Sequence, residues 1–387
     1  MAERTQVAIV GAGPAGLFLG HLLHRAGVDT VVLEARSREH VEGRIRAGVL
    51  EQGTTDALRA AGLGERMDRE GLVHDGLHLT FDGAQHRIDL RALTGRAVTI
   101  YGQTEVVKDL VAARLQDGAP LRFAVEDVRV DGREGQVPVV RYRRDGAEHE
   151  LRCDAIAGCD GFRGVCRAAI PARVLTTWER TYPFAWLGIL ADVAPSTDEL
   201  IYAHHERGFA LHSMRSRERS RLYVQVDPGE HVEHWPDGRV WHELHERLAS
   251  DGFALSEGPV LEKSITPMRS FVAAPMRHGA LFLAGDAAHI VPPTGAKGLN
   301  LAMADVLALA EALIDGSPAA LDAYSDHCLR RVWRVQHFSW WMTWMLHRHP
   351  GHDPFQAQLQ RSQLAYVASS EAAARTLAEN YVGYEDA

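Results

Sequence analysis

The chain has 387 residues, 46% of them hydrophobic, and a formal net charge of −9 at pH 7. This length and composition allow two or three packed units around a sizeable core. The acidic balance, with no long basic block, argues against nucleic acid or an anionic membrane as a partner.

The first predicted elements form a strand, a glycine turn, a helix and a second strand. Residues 6–10 predict a buried strand, and helical apolar spacing follows over residues 17–26. Residues 30–33 predict another buried strand, which ends at Glu34. This order is that of a βαβ unit in a parallel sheet. The N-terminus lacks a signal-peptide pattern, so we expect a cytoplasmic protein.

The middle of the chain contains both helical and strand-like apolar periodicity. Its predicted elements are helices over 56–67 and 103–115, strands within 77–90, an antiparallel meander over 123–151, a buried strand over 155–159, β-rich sequence over 184–226 and a helix over 240–248. Asp-Gly pairs at 131–132 and 145–146 mark the turns of the meander.

The last third of the chain is mostly helical. A buried strand is predicted over 281–284, and a long apolar helix runs from Gly298 to Leu313. The apolar, tryptophan-rich stretch 338–346 is far short of the roughly 20 residues that span a bilayer. We therefore expect it in a buried helix or a subunit interface, and no membrane partner.

Nucleotide-type motifs near residues 11, 160 and 286 are separated by β-rich sequence. This arrangement predicts a mixed α/β (α+β) fold, with a Rossmann-like nucleotide-binding domain, an inserted β-rich substrate domain and a helical C-terminal region. The predicted boundaries are 1–180, with a β-rich excursion over 73–100, then 181–268 and 269–387.

The cysteines give no sign of a metal or redox centre. The chain has four and contains no CxxC pair, which argues against zinc and against a redox dithiol; they are Cys153, Cys159, Cys166 and Cys328. We expect reduced thiols and no bound metal.

The glycine turn reads Gly11-x-Gly13-x-x-Gly16. Gly11 permits a tight turn, Gly13 lets the backbone approach a pyrophosphate, and Gly16 lets the helix pack close to the strand. Glu34, at the end of the next strand, can accept hydrogen bonds from ribose hydroxyls. The turn therefore predicts a dinucleotide site, without deciding between FAD and NAD(P).

Two later segments favour a flavin. Asp160-Gly161 follows one buried strand and Gly285-Asp286 follows another, and a glycine-rich loop over 292–300 then leads into a helix. An aspartate just past a strand can bind a ribityl hydroxyl, and backbone N–H groups at a helix start favour an anionic ring edge.

In their order and spacing these segments resemble the flavoprotein aromatic hydroxylases, and among them the members that act on 4-hydroxybenzoate. The resemblance is strongest at 43–53, 101–105, 285–301 and 379–383, and it extends over essentially the whole chain. It implies an FAD site formed by Gly11, Gly13, Gly16, Glu34, Arg44, Arg46, Gln103, Asp160, Asp286, Lys297, Leu299 and Asn300.

The resemblance also implies a substrate pocket. Ser213, Arg215 and Tyr223 would bind a carboxylate, which a guanidinium fork matches bidentately. Tyr202 would bind the phenol, Tyr381 would pass its proton on, and His74, with an ordinary pKa near ~6.5, would lead it to solvent. Pro293 would offer a backbone carbonyl at the reacting ring.

The chain departs from the family where the nicotinamide cofactor binds. Ala35 and His40 stand where the family has Arg and Tyr, and Arg163 replaces a His. Both NADPH and NADH therefore stay open as electron donors, with five candidate contacts: Arg36, Arg38, Arg163, Arg167 and Arg269. Leu222 replaces a Tyr beside Tyr223, which we expect to loosen the pocket wall.

The function implied is hydroxylation of 4-hydroxybenzoate at C3 to 3,4-dihydroxybenzoate, with FAD, NAD(P)H and O2, by way of a flavin C4a-hydroperoxide. The family also implies a homodimer and a flavin that is reduced only after substrate binds. The alternatives are the same chemistry on 3,4-dihydroxybenzoate or another phenolic acid, a non-oxygenating flavoprotein oxidase or reductase, and a non-catalytic flavin-binding module. A plain NAD(P) dehydrogenase would leave the Gly285-Asp286 loop unexplained.

Overall fold

The computed structural model describes residues 3–44, 48–131, 137–351 and 353–383. Its helices are α1 (Pro14–Arg25), α2 (Arg38–Gly43), α3 (Gln52–Ala60), α4 (Glu65–Glu70), α5 (Leu90–Thr94), α6 (Gln103–Gln116), α7 (Asp237–Leu248), α8 (Gly298–Asp315), α9 (Pro318–Leu346), α10 (Pro354–Ser369) and α11 (Glu371–Val382). Its strands are β1 (Glu3–Arg4), β2 (Val7–Val10), β3 (Thr30–Leu33), β4 (Val49–Leu50), β5 (Leu72–His74), β6 (Gly76–Phe81), β7 (Ala84–Asp89), β8 (Val98–Ile100), β9 (Leu121–Arg122), β10 (Glu126–Asp131), β11 (Val139–Arg144), β12 (Ala147–Arg152), β13 (Ala155–Gly158), β14 (Thr176–Ala191), β15 (Leu200–Ala203), β16 (Ala210–Met214), β17 (Ser220–Val226), β18 (Val260–Ala274), β19 (Arg277–His278), β20 (Leu281–Leu283) and β21 (His289–Ile290).

A six-stranded sheet with strand order β19-β20-β13-β2-β3-β9 forms the nucleotide-binding half. Its strands run parallel from β20 to β9, and only β19 is antiparallel. β2, β3 and β13 are buried along their whole length, which explains their nearly continuous apolar sequences. The predicted strands at 6–10, 30–33, 155–159 and 281–284 are therefore confirmed, and α1, α6 and α8 share their hydrophobic core.

An eight-stranded sheet with strand order β21-β18-β14-β17-β16-β15-β6-β7 forms the other half. One face packs against α9, α10 and α11, and the opposite face packs against α7. β6 and β7 lie before residue 180 in the chain, yet they pair in this sheet. The division of the chain into domains at residues 180 and 268 stays a prediction.

Two local predictions differ from the structure. The single helix predicted over 56–67 is wrong, because α3 and α4 are separate helices and Gly62 between them has a φ of +79°. The meander is confirmed as β10, β11 and β12, where Asp145 and Gly146 both take positive φ in the last turn. The strand β18, 15 residues long, was not predicted.

The described residues bear on metal binding, disulfides and membrane insertion. All four cysteines are buried free thiols. The described residues contain no group of three or more His, Cys, Asp or Glu side chains placed to hold a metal ion. Among the described helices, none is long and apolar enough to cross a membrane.

Candidate functional site

The glycine turn after β2 has the geometry expected from its sequence. Gly11 has a φ of +105°, and a Cβ there would lie 2.3 Å from the carbonyl oxygen of Cys159. A Cβ on Gly16 would lie 1.9 Å from the carbonyl oxygen of Gly11. A Cβ on Gly13 would meet nothing within 4 Å. Two of the glycines therefore allow close packing inside the protein, whereas Gly13 faces open space at the N-terminus of α1.

Two carboxylates flank this turn. Glu34 accepts hydrogen bonds from the backbone N–H groups of Ala12 at 2.7 Å and Arg36 at 2.8 Å, which fixes its orientation. Asp160 accepts the N–H of Cys166 with Oδ2 at 2.9 Å, while its buried Oδ1 has no partner among the described residues. The second oxygen of Asp160 is thus available as an acceptor.

The turn that contains Asp286 is held by hydrogen bonds to a buried side-chain pair, Asp305 and His289. Asp305 accepts the backbone N–H of Gly285 at 2.9 Å and contacts Nε2 of His289 at 2.6 Å. His289 is buried, which opposes its charge, but the Asp305 carboxylate outweighs this effect and raises its pKa. Asp286 itself is exposed between buried neighbours.

The loop after this turn ends at the N-terminus of α8. Leu299 and Asn300 lie in the first turn of that helix, where backbone N–H groups have no acceptor within the helix. The Asn300 side chain accepts the N–H of Glu51 at 2.9 Å and donates to the carbonyl of Val49 at 2.9 Å. A Cβ on Gly298 would meet nothing within 4 Å, so these N–H groups also border open space. Pro293, earlier in the loop, is exposed.

Lys297 is a buried cation beneath this loop. Its Nζ donates to the carboxylate of Glu51 and, at 2.8 Å, to the carbonyl of Tyr381. Burial lowers the pKa of Lys297, and the Glu51 carboxylate opposes that change. The lysine therefore connects the loop to the C-terminal helix α11.

Arg44 and Gln103 lie in two chain segments that are distant in sequence and in contact in the structure. The carbonyl of Arg44 accepts the hydroxyl of Thr104 at 3.0 Å, and Gln103 begins α6. Arg46, also predicted to contact the cofactor, lies outside the described residues.

One face of the eight-stranded sheet collects the predicted substrate contacts. Tyr202 pairs with Leu211, Leu211 with Tyr223, and Ser213 with Arg221. Because side chains alternate along a strand, Tyr202, Ser213 and Tyr223 point to the same face. Tyr223 lies opposite Gly188 on β14, where a Cβ would approach the tyrosine ring to 3.1 Å.

Arg215 follows β16 at the edge of this face. Its Nη2 donates to the hydroxyl of Thr104 at 2.8 Å, and burial lowers its pKa. The hydroxyl of Ser213 donates to the carbonyl of Arg221 at 2.7 Å, and Nε of Arg221 donates to the hydroxyl of Tyr223 at 3.3 Å. The three predicted carboxylate contacts therefore share one side of the sheet.

Leu222 does not form part of this side. It neighbours Tyr223 in sequence, so its side chain points to the opposite face, where it is fully buried in the core under α7. The expectation that Leu222 loosens the pocket wall is wrong for this reason.

The hydroxyls of Tyr202 and Tyr381 lie 2.7 Å apart, and both residues are buried. Burial raises the pKa of each phenol, so both stay protonated at neutral pH. Each hydroxyl can accept one proton and donate another, which is the requirement for a proton relay.

His74 does not join that pair by a direct hydrogen bond. It is buried at the end of β5, and neither ring nitrogen hydrogen-bonds to any described residue. Burial lowers the pKa of His74 to about 4, against the opposing charges of Glu199 and Asp198. The expectation that this histidine titrates near neutral pH is therefore wrong for the structure described.

The five arginines predicted to bind a nicotinamide cofactor differ in their surroundings. Arg36, Arg38 and Arg163 are exposed, and Arg38 pairs with Glu42 at 2.7 Å. The side chains of Arg167 and Arg269 lie on the ring of Phe162, each 4.8 Å from its centroid.

Arg167 also connects two loops. Its guanidinium donates to the carbonyls of Phe162 at 2.5 Å and Ala287 at 2.8 Å. It therefore braces the segments that follow Asp160 and Asp286, which competes with the predicted contact to a nicotinamide cofactor.

Sequence reasoning missed several residues that position the site. Thr104 and Gly188 contact predicted substrate residues, and Asp305 supports the Asp286 turn. His347, fully buried, accepts the indole N–H of Trp186 at 2.6 Å beneath the substrate face. Only Thr104 had a sequence signal, since it directly follows Gln103.

Comparisons with known proteins agree with this geometry. A family model described as "FAD binding domain" matches residues 4–339. The chain is 51% identical, over 98% of its length and 95% of the relative's, to p-hydroxybenzoate hydroxylase of Acinetobacter baylyi. It is 28% identical to a 3-(3-hydroxy-phenyl)propionate/3-hydroxycinnamic acid hydroxylase of a Mycobacterium species, over 83% of this chain and 56% of that protein.

Among solved structures, p-nitrophenol 4-monooxygenase of Pseudomonas putida superimposes with a TM-score of 0.83 over the whole of both chains, at 23% identity. At that identity the likeness concerns the fold, which is the same mixed α/β arrangement of sheets with C-terminal helices.

Proposed function

This chain belongs to the FAD-binding aromatic hydroxylases, and from that premise we propose that it is a 4-hydroxybenzoate 3-monooxygenase. The reaction consumes 4-hydroxybenzoate, O2, NAD(P)H and a proton. It yields 3,4-dihydroxybenzoate, water and NAD(P)+. The observation that carries the proposal is a single sheet face with Ser213, Arg215 and Tyr223 at one end and a buried pair of tyrosine hydroxyls at the other.

The residues present fit FAD. Open space beside Gly13 and Gly298 lets a ligand approach the N-termini of two helices, where N–H groups favour a pyrophosphate and the negatively charged edge of a reduced flavin. The unpartnered buried oxygen of Asp160 and the exposed Asp286 offer acceptors for hydroxyl groups between them. FAD, when bound and reduced, supplies the activation of O2 that protein side chains lack.

We propose that Arg215, Ser213 and Tyr223 hold the substrate carboxylate, with the Ser213 hydroxyl turning to the ligand from the carbonyl of Arg221, to which it donates in this structure. The Arg215 side chain is half-buried and burial lowers the pKa of its guanidinium, so an anion bound there would stabilise the charged form, which favours an acidic ligand over a neutral one. Tyr223 receives a hydrogen bond from Arg221, which leaves its own proton for the ligand.

We propose that Tyr202 accepts the hydrogen bond of the substrate 4-hydroxyl and that Tyr381 carries its proton onward. Tyr202 and Tyr223 lie two strand spacings apart, about 10 Å, which suits one aromatic ring with groups in para positions. Removing the phenol proton makes the ring carbon beside the hydroxyl more nucleophilic, and burial of the tyrosine pair excludes water from that step. His74 remains the proposed exit, with a neutral imidazole as acceptor.

A nicotinamide dinucleotide is the proposed electron donor. The exposed Arg36 and Arg163 support a phosphate-bearing ligand nearby, but neither distinguishes NADPH from NADH. The choice between the two nucleotides therefore requires that turnover with NADPH and turnover with NADH be measured separately.

The test is aerobic turnover by the purified protein with FAD bound, with NADPH and NADH assayed separately and products identified by chromatography. We expect nearly one 3,4-dihydroxybenzoate for each nucleotide oxidised. Nucleotide oxidation with peroxide as the only product would contradict the substrate assignment. A parallel assay with 3,4-dihydroxybenzoate as substrate distinguishes the trihydroxy product of the related reaction.

We further propose a cytoplasmic homodimer. Trp178 and Trp333 pack edge to face at 5.2 Å, yet they are 46% and 43% exposed, and large exposed aromatic pairs favour a subunit contact. The reduced, buried cysteines agree with a cytoplasmic location. Light scattering of the FAD-bound protein should give twice the 42.7 kDa chain mass; a monomer at micromolar concentration would contradict this.

A further inference from the structure

Thr104 connects the two halves of the site through its hydroxyl. It lies in the first turn of α6 and is buried, with 6% of its surface exposed. The hydroxyl donates to the carbonyl of Arg44 at 3.0 Å and accepts Nη2 of Arg215 at 2.8 Å. A hydroxyl has a single proton, so once that proton bonds to Arg44, the oxygen offers Arg215 only its lone pairs.

The guanidinium of Arg215 is also confined by backbone. A Cβ on Gly102 would lie 2.6 Å from Cζ of Arg215, so a larger residue at this position would displace the guanidinium from its place against the start of α6. The positive end of the α6 dipole faces the same region, so it also stabilises a negatively charged ligand there. Gly102 and Thr104 together therefore determine the orientation of the Arg215 guanidinium plane and the position of its nitrogen atoms.

The segment that begins at Arg44 rests on the same few residues. Beyond the undescribed positions, the carbonyl of Gly48 accepts the N–H of Tyr101 at 2.8 Å. A Cβ on Gly48 would lie 2.4 Å from Cα of Gly102. Both described ends of this segment thus contact residues 101–104, next to the point where Arg215 is held.

We infer that Thr104 is a positioning residue, which orients Arg215 toward the substrate carboxylate and ties that orientation to the arginine segment predicted to contact FAD. The inference rests on the proposed function. Its consequence is that a ligand carboxylate bound to Arg215 affects the segment that begins at Arg44, because the Thr104 hydroxyl bonds to both. Loss of the hydroxyl should weaken carboxylate recognition and should also reduce the effect of bound substrate on flavin reduction.

The test compares Thr104→Val, which keeps the side-chain shape and removes the hydroxyl, with Thr104→Ser, which keeps the hydroxyl. Titration of the FAD-bound proteins should show that 4-hydroxybenzoate binds about tenfold more weakly to Thr104→Val and nearly normally to Thr104→Ser, since a hydrogen bond to a charged group is lost and then restored. The neutral 4-hydroxybenzamide should bind the wild type and Thr104→Val with the same affinity.

The second readout is the rate of anaerobic FAD reduction by the preferred nucleotide, with and without 4-hydroxybenzoate at saturation. The ratio of these rates should fall in Thr104→Val and recover in Thr104→Ser. If Thr104→Val binds FAD poorly, Gly102→Ala, which crowds the same guanidinium, should show the selective loss of carboxylate binding instead.

The outcomes separate this inference from the function on which it rests. A wild-type protein that does not bind 4-hydroxybenzoate overturns both. Normal wild-type binding with unchanged values in Thr104→Val overturns the inference alone. Equal weakening of the acid and the amide also overturns it, because that result indicates a packing role without charge recognition.

Discussion

The proposed cofactor side and the proposed substrate side of this site use different kinds of groups. The cofactor side consists mainly of backbone, with glycines at tight turns and N–H groups at two helix starts, and it adds the carboxylates of aspartates that lie just past strands. The substrate side uses side chains from neighbouring strands, with partners more than 100 residues apart in sequence, such as Arg215 with Thr104. A backbone site depends on local spacing, whereas a side-chain site depends on strand register. Changes to the two sides should therefore fail in different ways.

The largest effect should separate two glycines of one turn. Gly11→Ala places a Cβ 2.3 Å from a carbonyl oxygen at a φ of +105°, so the free energy of unfolding should fall by more than about 3 kcal/mol. Gly13→Ala meets no protein atom within 4 Å and should leave the FAD-free protein nearly as stable while weakening FAD binding at least tenfold. Urea unfolding measures the stability of each variant, and flavin fluorescence measures its affinity for FAD. Equal destabilisation by both changes would contradict a ligand-facing Gly13.

The next effect tests the substrate side. Arg215→Ala should weaken 4-hydroxybenzoate binding about 100-fold, because the proposed charge-assisted contact of a half-buried guanidinium is lost, and FAD content should not change. Arg217→Ala, an exposed arginine of the same segment, is the matched control. Ligand titration monitored by flavin absorbance decides; unchanged affinity in Arg215→Ala would remove it from the pocket.

Acid sensitivity should also come from the substrate side, through His74. Its pKa is lowered to about 4 by burial, whereas the unfolded chain binds that proton near its ordinary pKa of about 6.5. The stabilising contribution is complete above pH 6.5 and is lost as pH falls toward 4, which amounts to about 2 kcal/mol by pH 5. Unfolding by urea at pH 7.5 and 5 should show a smaller loss in His74→Asn than in the wild type or in His24→Asn, an exposed control. The same loss in all three proteins would place the sensitivity elsewhere.

The smallest effect concerns the phenol pair. Tyr202→Phe removes one hydroxyl of the 2.7 Å contact, so hydroxylation should slow about tenfold and more peroxide should form per nucleotide oxidised. Tyr366→Phe, an exposed tyrosine, should behave as the wild type. Stopped-flow product formation and a peroxide assay provide the measurement. Full coupling in Tyr202→Phe would exclude Tyr202 from proton transfer.

The same contrast explains what the sequence could predict. The β2–α1–β3 unit and Glu34 follow from local spacing, because a parallel strand buried on both faces leaves a continuous apolar run. β18 was missed, since its residues are partly buried in an irregular order without clean alternation. The roles proposed for Tyr202 and Arg215 were predicted only from the family resemblance. Nothing in their local sequence reports that β15, β16 and β17 align them on one face. The buried state of His74, which alters its pKa, likewise depends on packing that spacing does not encode.

The position of Tyr381 has a consequence for synthesis of the chain. Its hydroxyl meets that of Tyr202, made 179 residues earlier, and its carbonyl is held by Lys297. A nascent chain on the ribosome can complete the glycine turn and the first sheet long before α11 emerges, but the tyrosine pair cannot form until nearly all of the described chain is free. Close to it, a Cβ on Gly383 would lie 2.1 Å from the Glu51 carboxylate, so a side chain at that position would crowd the carboxylate that accepts the hydrogen bond of Lys297. The pair of tyrosine hydroxyls is therefore the last part of the proposed site to assemble during synthesis.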